Sequence, residues 1–370
     1  MNQSMNQFIP ITKPWITDED IAAVNHVLKS GMLVQGENVK ALEQHVSTYL
    51  NGAEVIAVSN GTATMHMMLQ LYGIGAGDEV IIPAFSYVAT ANVVELNGAT
   101  PVFVDTEALT FNIDPQGIET KITPKTKAIL AVHEFGLSAD ADAIKAICKK
   151  HNLLFLEDAA CALGAEYKGI RTGCLGDAAS FSLHPRKAIT SGEGGLIVTR
   201  DKALAERCRI MRNHGIDPAK GHTGFVAAGY NYRMTDFQAA LVLSQFGRFD
   251  AIMQRKQEIA QQYISGIKNP KLTVPVPAEG YYHSWQSFHL ILNGISQNDA
   301  IAYLKDKGIG ANYGAQCIPH MDFYREKYST DSINQYPNAW NTWKNGLVIP
   351  LYPQMEASEI QHIINTLNNI

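Results

Sequence analysis

From about residue 53 to residue 200 the chain alternates short apolar, β-branched runs with segments of helical period. Val55–Val58, Glu79–Ile82, Pro101–Val104, Ala128–Val132 and Leu153–Leu156 read as strands. Between them, Ala63–Leu71, Val88–Leu96 and Asp140–Lys150 read as helices. Apolar strands alternating with helices predict a mostly parallel central sheet with helices on both faces, an α/β fold. Two further apolar runs, Ala178–Leu183 and Gly195–Thr199, bracket a polar, glycine-rich segment.

Beyond residue 200 the period becomes helical, first over Ala203–Arg212 and then over a long stretch from Thr235 to about Ile267. Thr235-Asp236-Phe237-Gln238 matches a capping box, in which a hydroxyl and an amide satisfy the free donors of a helix start. This long helix is expected to cross between two domains. Past Pro270, Ser284–Leu292, Asp299–Lys307 and Ser358–Leu367 read as strand, helix and helix. The expected division is residues 1–250, a large α/β domain with an N-terminal arm, and residues 251–370, a smaller α+β domain.

Composition narrows the function classes. With 30 basic and 35 acidic side chains the net charge is −5, and there is no basic run to displace counterions from a nucleic acid. The first residues, MNQSMNQFIPITKPW, lack the charged and apolar regions of a secretory signal, and no apolar stretch spans a bilayer, so a cytoplasmic protein is expected. The 5 cysteines, Cys148, Cys161, Cys174, Cys208 and Cys317, form no C-x-x-C pair and fit reduced thiols. His133-Glu134 lacks the second histidine of H-E-x-x-H, so no metal is expected.

Ligands of a parallel α/β sheet sit beyond the C-terminal ends of its strands, and polar clusters fall at such ends here. Ser59-Asn60-Gly61-Thr62 lies between a strand and a helix, where free amides and the helix dipole could hold a phosphate; alone it reads sooner as a helix cap. Asp158, after Leu153–Leu156, could pair with a protonated ring nitrogen or cap the next helix. Lys187 lies between an apolar strand and the turn Ser191-Gly192-Glu193-Gly194-Gly195; a solvated surface lysine is the alternative. Together, in this order, they are the parts that hold pyridoxal phosphate (PLP): an amine for a Schiff base, a carboxylate for the pyridine nitrogen and a phosphate cup.

These residues lie in blocks that resemble the DegT/StrS-type PLP-dependent nucleotide-sugar aminotransferases. The blocks are SNGTATMHMMLQLYGIGAGDEVIIPAFSYVATANVV (59–94), PVFVD (101–105), VHEFG (132–136), LEDAACALGAEYKG (156–169), GDAASFSLHPRKAITSGEGG (176–195) and GYNYRMTDFQAALVLSQFGRFD (229–250). The resemblance implies the aspartate aminotransferase-like fold (fold type I), with Lys187 forming the Schiff base and Asp158 pairing with the pyridine nitrogen. It further implies that Gly61, Thr62 and Ser182 bind the cofactor phosphate, that Tyr87 stacks on the ring, and that Asn231 reaches the same phosphate from the neighbouring subunit of a homodimer. Many members carry Gln or His, contacting the cofactor's phenolic oxygen, where this chain has Cys161; the resemblance places Cys161 beside the ring and assigns it no proton-transfer role.

The implied reaction is a ping-pong transfer of the amino group of L-glutamate to a nucleotide-linked keto-sugar. HPRKAITSGEGG-like loops accompany amination at the fourth sugar carbon in this family, and YPGKNLGALGDGG-like loops amination at the third. The expected substrate is therefore a 4-keto-6-deoxyhexose nucleotide, giving a 4-amino-4,6-dideoxy sugar for surface polysaccharide (O-antigen) or glycan synthesis. A 3-keto-sugar, a keto-inositol or a small amino acid as substrate, and a non-catalytic regulator, are the alternatives. Related sugar dehydratases carry histidine in place of the lysine, which is intact here. His184, Arg186, Tyr313 and His320 are the candidate substrate contacts, Arg186 because a guanidinium fork matches diphosphate oxygens.

Overall fold

The computed structural model describes residues 8–370. Its centre is a seven-stranded sheet of β1 (Glu54–Val58), β2 (Glu79–Pro83), β3 (Thr100–Val104), β4 (Thr126–Val132), β5 (Leu154–Asp158), β6 (Ala178–Ser182) and β7 (Gly195–Thr199). The order is β1-β7-β6-β5-β4-β2-β3, and only β7 runs against its neighbours. The parallel strands therefore end at one edge. Nearly every residue of these strands is buried, as a sheet covered on both faces requires. Among the described residues no helix is long and apolar enough to cross a membrane.

Three readings of the pattern change. The helix expected from Thr235 to Ile267 is two helices, α1 (Asp236–Phe246) and α2 (Phe249–Gly266), interrupted at Gly247-Arg248. The interruption lets the Arg248 guanidinium turn out of the helical row to donate to Asp20, which is fully buried, at 2.9 Å and to the Trp15 carbonyl. The strand expected over Ser284–Leu292 shortens to Phe288–Leu292. Its first half is an irregular turn in which Trp285 takes φ +51° and the Ser284 amide donates to Gly136 at 2.9 Å. N-terminal helices over Asp18–Ser30 and Glu37–Tyr49 lie outside the expected set; their moderate amphipathic pattern is interrupted by polar residues.

A second, antiparallel sheet pairs Phe288–Leu292 with Leu272–Thr273 and with Gly346–Ile349. Its apolar cluster includes Ile9, whose strand-like contacts are with Gly308 and Gly310. Helix α2 straddles the two halves: Phe249, Ile252 and Met253 pack with the large sheet's residues, Ile259, Ala260 and Tyr263 with the small sheet's. The segment 316–345 returns to the large sheet. Cys317 pairs with Phe85, and the Asp105 carboxylate accepts from the amides of Asn338 and Ala339 at 3.0 and 2.8 Å.

Candidate active site

The end of β1 runs into a helix over Gly61–Leu71. Asn60 caps it, its Oδ1 accepting the Ala63 amide at 2.8 Å, and among the described residues nothing accepts from the amides of Gly61 and Thr62. Those two donors and the helix dipole face the end of β6. A Cβ on Gly61 would stand 3.0 Å from Cβ of Ser182, so glycine is what lets the helix start approach this strand. Gly61, Thr62 and Ser182, expected together from the sequence, do meet at one place.

Asp158 ends β5 and is 4% exposed. Thr90 donates to its Oδ2 at 2.8 Å and the Ala160 amide to its Oδ1 at 3.2 Å. No cation bonds to it among the described residues, and burial pushes its pKa up, against the pull of Thr90, Ala160, Lys187 and His133. A carboxylate held this way gains strongly when a cation arrives beside it. Its neighbour Glu157 points to the opposite face, as strand alternation requires. There it accepts amides from Gly173, Leu175 and Gly176 at 2.6–2.8 Å and bonds the His133 ring at 2.8 Å. One carboxylate faces the site and the other ties the fold.

Lys187 stands on the loop between β6 and β7, which is strapped at several points. The Leu183 amide donates to Gly194 at 2.8 Å, the Lys187 amide to His184 at 2.8 Å, and Gln245, 2% exposed, bonds both the amide and the carbonyl of Thr190. The Lys187 Nζ lies 3.1 Å from the Cys161 Sγ. Burial pushes the Cys161 thiol pKa up, so a neutral thiol is its stable form beside the lysine. Ala160, Cys161, Ser182, Lys187, Ser284 and Gln286 share the cavity around the amine.

Other expected residues are more dispersed. Tyr87 is 65% exposed and follows the short strand paired with Gln316-Cys317. Asn231 is exposed on a segment that crosses the end of β1, where the Ser59 amide donates to Tyr232 at 2.8 Å. His184 accepts the Arg186 amide at 3.2 Å, with burial lowering its pKa, and Arg186 projects from the lysine loop. Tyr313 is exposed beside Gly314, which packs on Phe135 and His289. The His320 ring packs against Trp340 and Trp343, at 4.6 and 5.0 Å between centroids. That aromatic cluster, rather than the Lys187 cavity, supplies its contacts.

Lys256, absent from the expected set, lines the same cavity as Lys187. It occupies the buried face of α2, where Phe249, Ile252, Met253, Ile259, Ala260 and Tyr263 recur at helical spacing, and it is 3% exposed. A lysine inside an apolar stripe is the signal that could have found it. Burial pushes its pKa from 10.5 down to about 7, an effect the Lys187 charge adds to and Cys161 opposes. Between those values the unfolded chain holds a proton the folded chain lacks, so stability rises with pH across that window, by on the order of 1 kcal/mol per pH unit. Lys256→Met is expected to remove that slope and to raise the unfolding midpoint at pH 7, as checked by thermal melts from pH 7 to 10.

Pyridoxal phosphate carries a dianionic phosphate, a basic ring nitrogen and an aldehyde. This edge offers each its complement: free helix-start amides, a buried carboxylate without a cation, and an amine on a fixed loop. In class, the fold and the site are those of a PLP-dependent transaminase. The sequence pattern of the DegT/DnrJ/EryC1/StrS aminotransferase family matches residues 14–368, and the chain belongs to that family. Its structure is similar to Spr1654 of Streptococcus pneumoniae, assigned to the sugar aminotransferases and solved in a PLP form, at 30% identity and a TM-score of 0.93, covering 98% of each chain. Helicobacter pylori PseC, an aminotransferase in pseudoaminic acid biosynthesis, matches at 28% identity and a TM-score of 0.94, over 98% of this chain and 99% of that one. S. venezuelae DesV, solved with a ketimine intermediate, matches at 29% identity and a TM-score of 0.91, over 98% of each chain.

Proposed function

We propose that this enzyme moves the amino group of L-glutamate to a nucleotide-linked 4-keto-6-deoxyhexose, giving a 4-amino-4,6-dideoxy sugar for surface polysaccharide or glycan synthesis. The observation that carries the site is the Lys187 amine at the strand-end edge that also holds buried Asp158 and the free amides of Gly61 and Thr62. When bound, PLP supplies an electron sink that acidifies the donor's α-carbon. Lys187 would hold the cofactor through its amine, and that amine, when free, would take the α-proton of glutamate. A lysine suits both roles because it alternates readily between base and acid.

Asp158 holds the ring nitrogen protonated, and Gly61, Thr62 and Ser182 bind the phosphate. Tyr87 covers the ring's outer face, and its exposure in the single chain leaves that face available. Asn231, exposed at the end of β1, reaches a second copy of the chain, so the working unit is a homodimer with shared sites. His184, Arg186 and Tyr313 face the incoming sugar nucleotide, with His320 held further out by its tryptophans. The fourth-carbon assignment rests on the HPRKAITSGEGG loop.

The test is spectroscopic. Glutamate should convert the bound cofactor's absorbance band to that of the amine form, and one of a panel of dTDP-, GDP- and UDP-linked 4-keto-6-deoxy sugars should restore it. Restoration only by a 3-keto-sugar or a keto-inositol would overturn the assignment of the fourth carbon and leave transamination standing.

A further inference from the structure

One buried acid at the strand-end edge has no part in the roles above. Glu134 follows the end of β4, 5% exposed, and its Oε2 finds no hydrogen-bond partner among the described residues. Its place is set by the sheet. Val132 pairs with Asp158, and the His133 amide donates to the Asp158 carbonyl at 3.0 Å, so Glu134 stands one strand over from Asp158. The turn that carries it is tightly held. Phe135 takes φ +52° and Gly136 φ +100°, and a Cβ on Gly136 would stand 3.0 Å from the Cys161 carbonyl. The turn that carries the carboxyl is thus packed against the segment of Cys161, the residue that Lys187 touches.

The charges that act on Glu134 are those of Asp158 and Lys187, and the cavity it lines also holds His283 and His289. Both histidines are kept neutral by burial. Burial first, and then the Asp158 charge, push the Glu134 pKa from 4.5 up to about 8, against Lys187 and the Phe135 amide. The two acids are unequal. Asp158 has Thr90 and the Ala160 amide aimed at its oxygens, which favours its ionised form once a cation is present; Oε2 of Glu134 has no such donor. Two neighbouring carboxyls in unlike surroundings divide the work, one as the anion and the other as the neutral acid.

We propose that Glu134 is a further cofactor-binding residue, whose protonated carboxyl donates to the phenolic oxygen of PLP. The inference rests on the roles proposed for Lys187 and Asp158, and it follows from the layout of the ring. With the ring nitrogen over β5 and the aldehyde carbon at Lys187, one edge of the ring carries the phosphate arm and the opposite edge the phenolic oxygen. The phosphate donors lie on the side of β6 and β1. Glu134 comes from β4, which flanks β5 on the other side. The phenolic oxygen therefore faces the acid, and the neighbouring thiol of Cys161 is a weaker donor.

A donor to the ionised phenolic oxygen favours the deprotonated cofactor–lysine linkage, so removing it raises the pH at which the bound cofactor's absorbance band changes. The experiment is a pH titration of that band in purified holoenzyme, together with the PLP dissociation constant, for wild type, Glu134→Leu and Glu134→Gln. Glu134→Leu is expected to raise the midpoint by about one pH unit and to weaken PLP binding about tenfold. Glu134→Gln, which keeps a donor, is expected to stay near the wild-type midpoint. An unchanged midpoint and affinity in Glu134→Leu, or a midpoint raised as far in Glu134→Gln as in Glu134→Leu, would overturn the proposal; so would an effect confined to the KM for glutamate. If borohydride fixes no cofactor to Lys187 in the wild type, the roles of Lys187 and Asp158 fall and the proposal falls with them.

Discussion

Lys187→Ala is expected to lower transamination by at least about 10⁴-fold, because the substitution removes the amine proposed both to attach the cofactor and to move the α-proton. The fold should survive the change. The side chain's contact is with Cys161, while the loop is strapped through the backbone of residues 183–194 and through Gln245. The variant is therefore expected to melt close to the wild type and to retain PLP without a covalent bond, since the phosphate donors at Gly61 and Thr62 and the carboxylate of Asp158 are untouched. Small primary amines added to the solution should restore part of the proton-transfer rate. Single-turnover absorbance with glutamate reads both effects, and wild-type turnover in the variant would contradict the assignment.

Asp158→Asn should separate function from stability. The amide keeps the shape and one acceptor for Thr90 but cannot carry the negative charge that holds the ring nitrogen protonated. The glutamate half-reaction is expected to slow by on the order of 10²–10³-fold, the cost of losing a charge aimed at the reacting system in a water-poor site. Stability of the cofactor-free protein should move the other way. Because burial raises the Asp158 pKa in the folded chain, this residue's contribution is fullest at low pH and is lost as the pH rises through the folded value. A neutral amide escapes that loss, so the variant without cofactor should be at least as stable as wild type at pH 7 to 8. Parallel melts and kinetics check the pair, and a fall in stability matching the fall in rate would mark Asp158 as a fold residue instead.

Much of this site is legible in the amino-acid sequence. The Lys187 loop, Asp158 at its strand end and the Gly61-Thr62 helix start each stand out as polar clusters after apolar runs, because strand and helix periods are local properties of the chain. Other features are hidden there, for reasons that are not local. Thr90 reads as an ordinary helix-start threonine until the sheet order, with β4 alone between β2 and β5, brings its hydroxyl to Asp158. The break at Gly247-Arg248 needs Asp20, a residue 228 positions away. Glu134 and Lys256 do leave a local trace, each being an ionisable residue inside an apolar pattern. Where each ends up in the fold is set by which strands are neighbours and by the face α2 turns inward.

Residue order dictates the alternation of strands and helices, the edge at which ligands gather and the set of residues able to hold PLP, since periodicity and residue chemistry are written position by position. Packing settles which acid is set among donors and which keeps a carboxyl oxygen without one among the described residues, and which lysine meets a thiol and which lies in an apolar stripe. It also settles which candidates, such as His320, are held elsewhere. Those outcomes depend on desolvation and on distances between segments far apart in the chain, and both are set only when the sheet order and helix packing are complete.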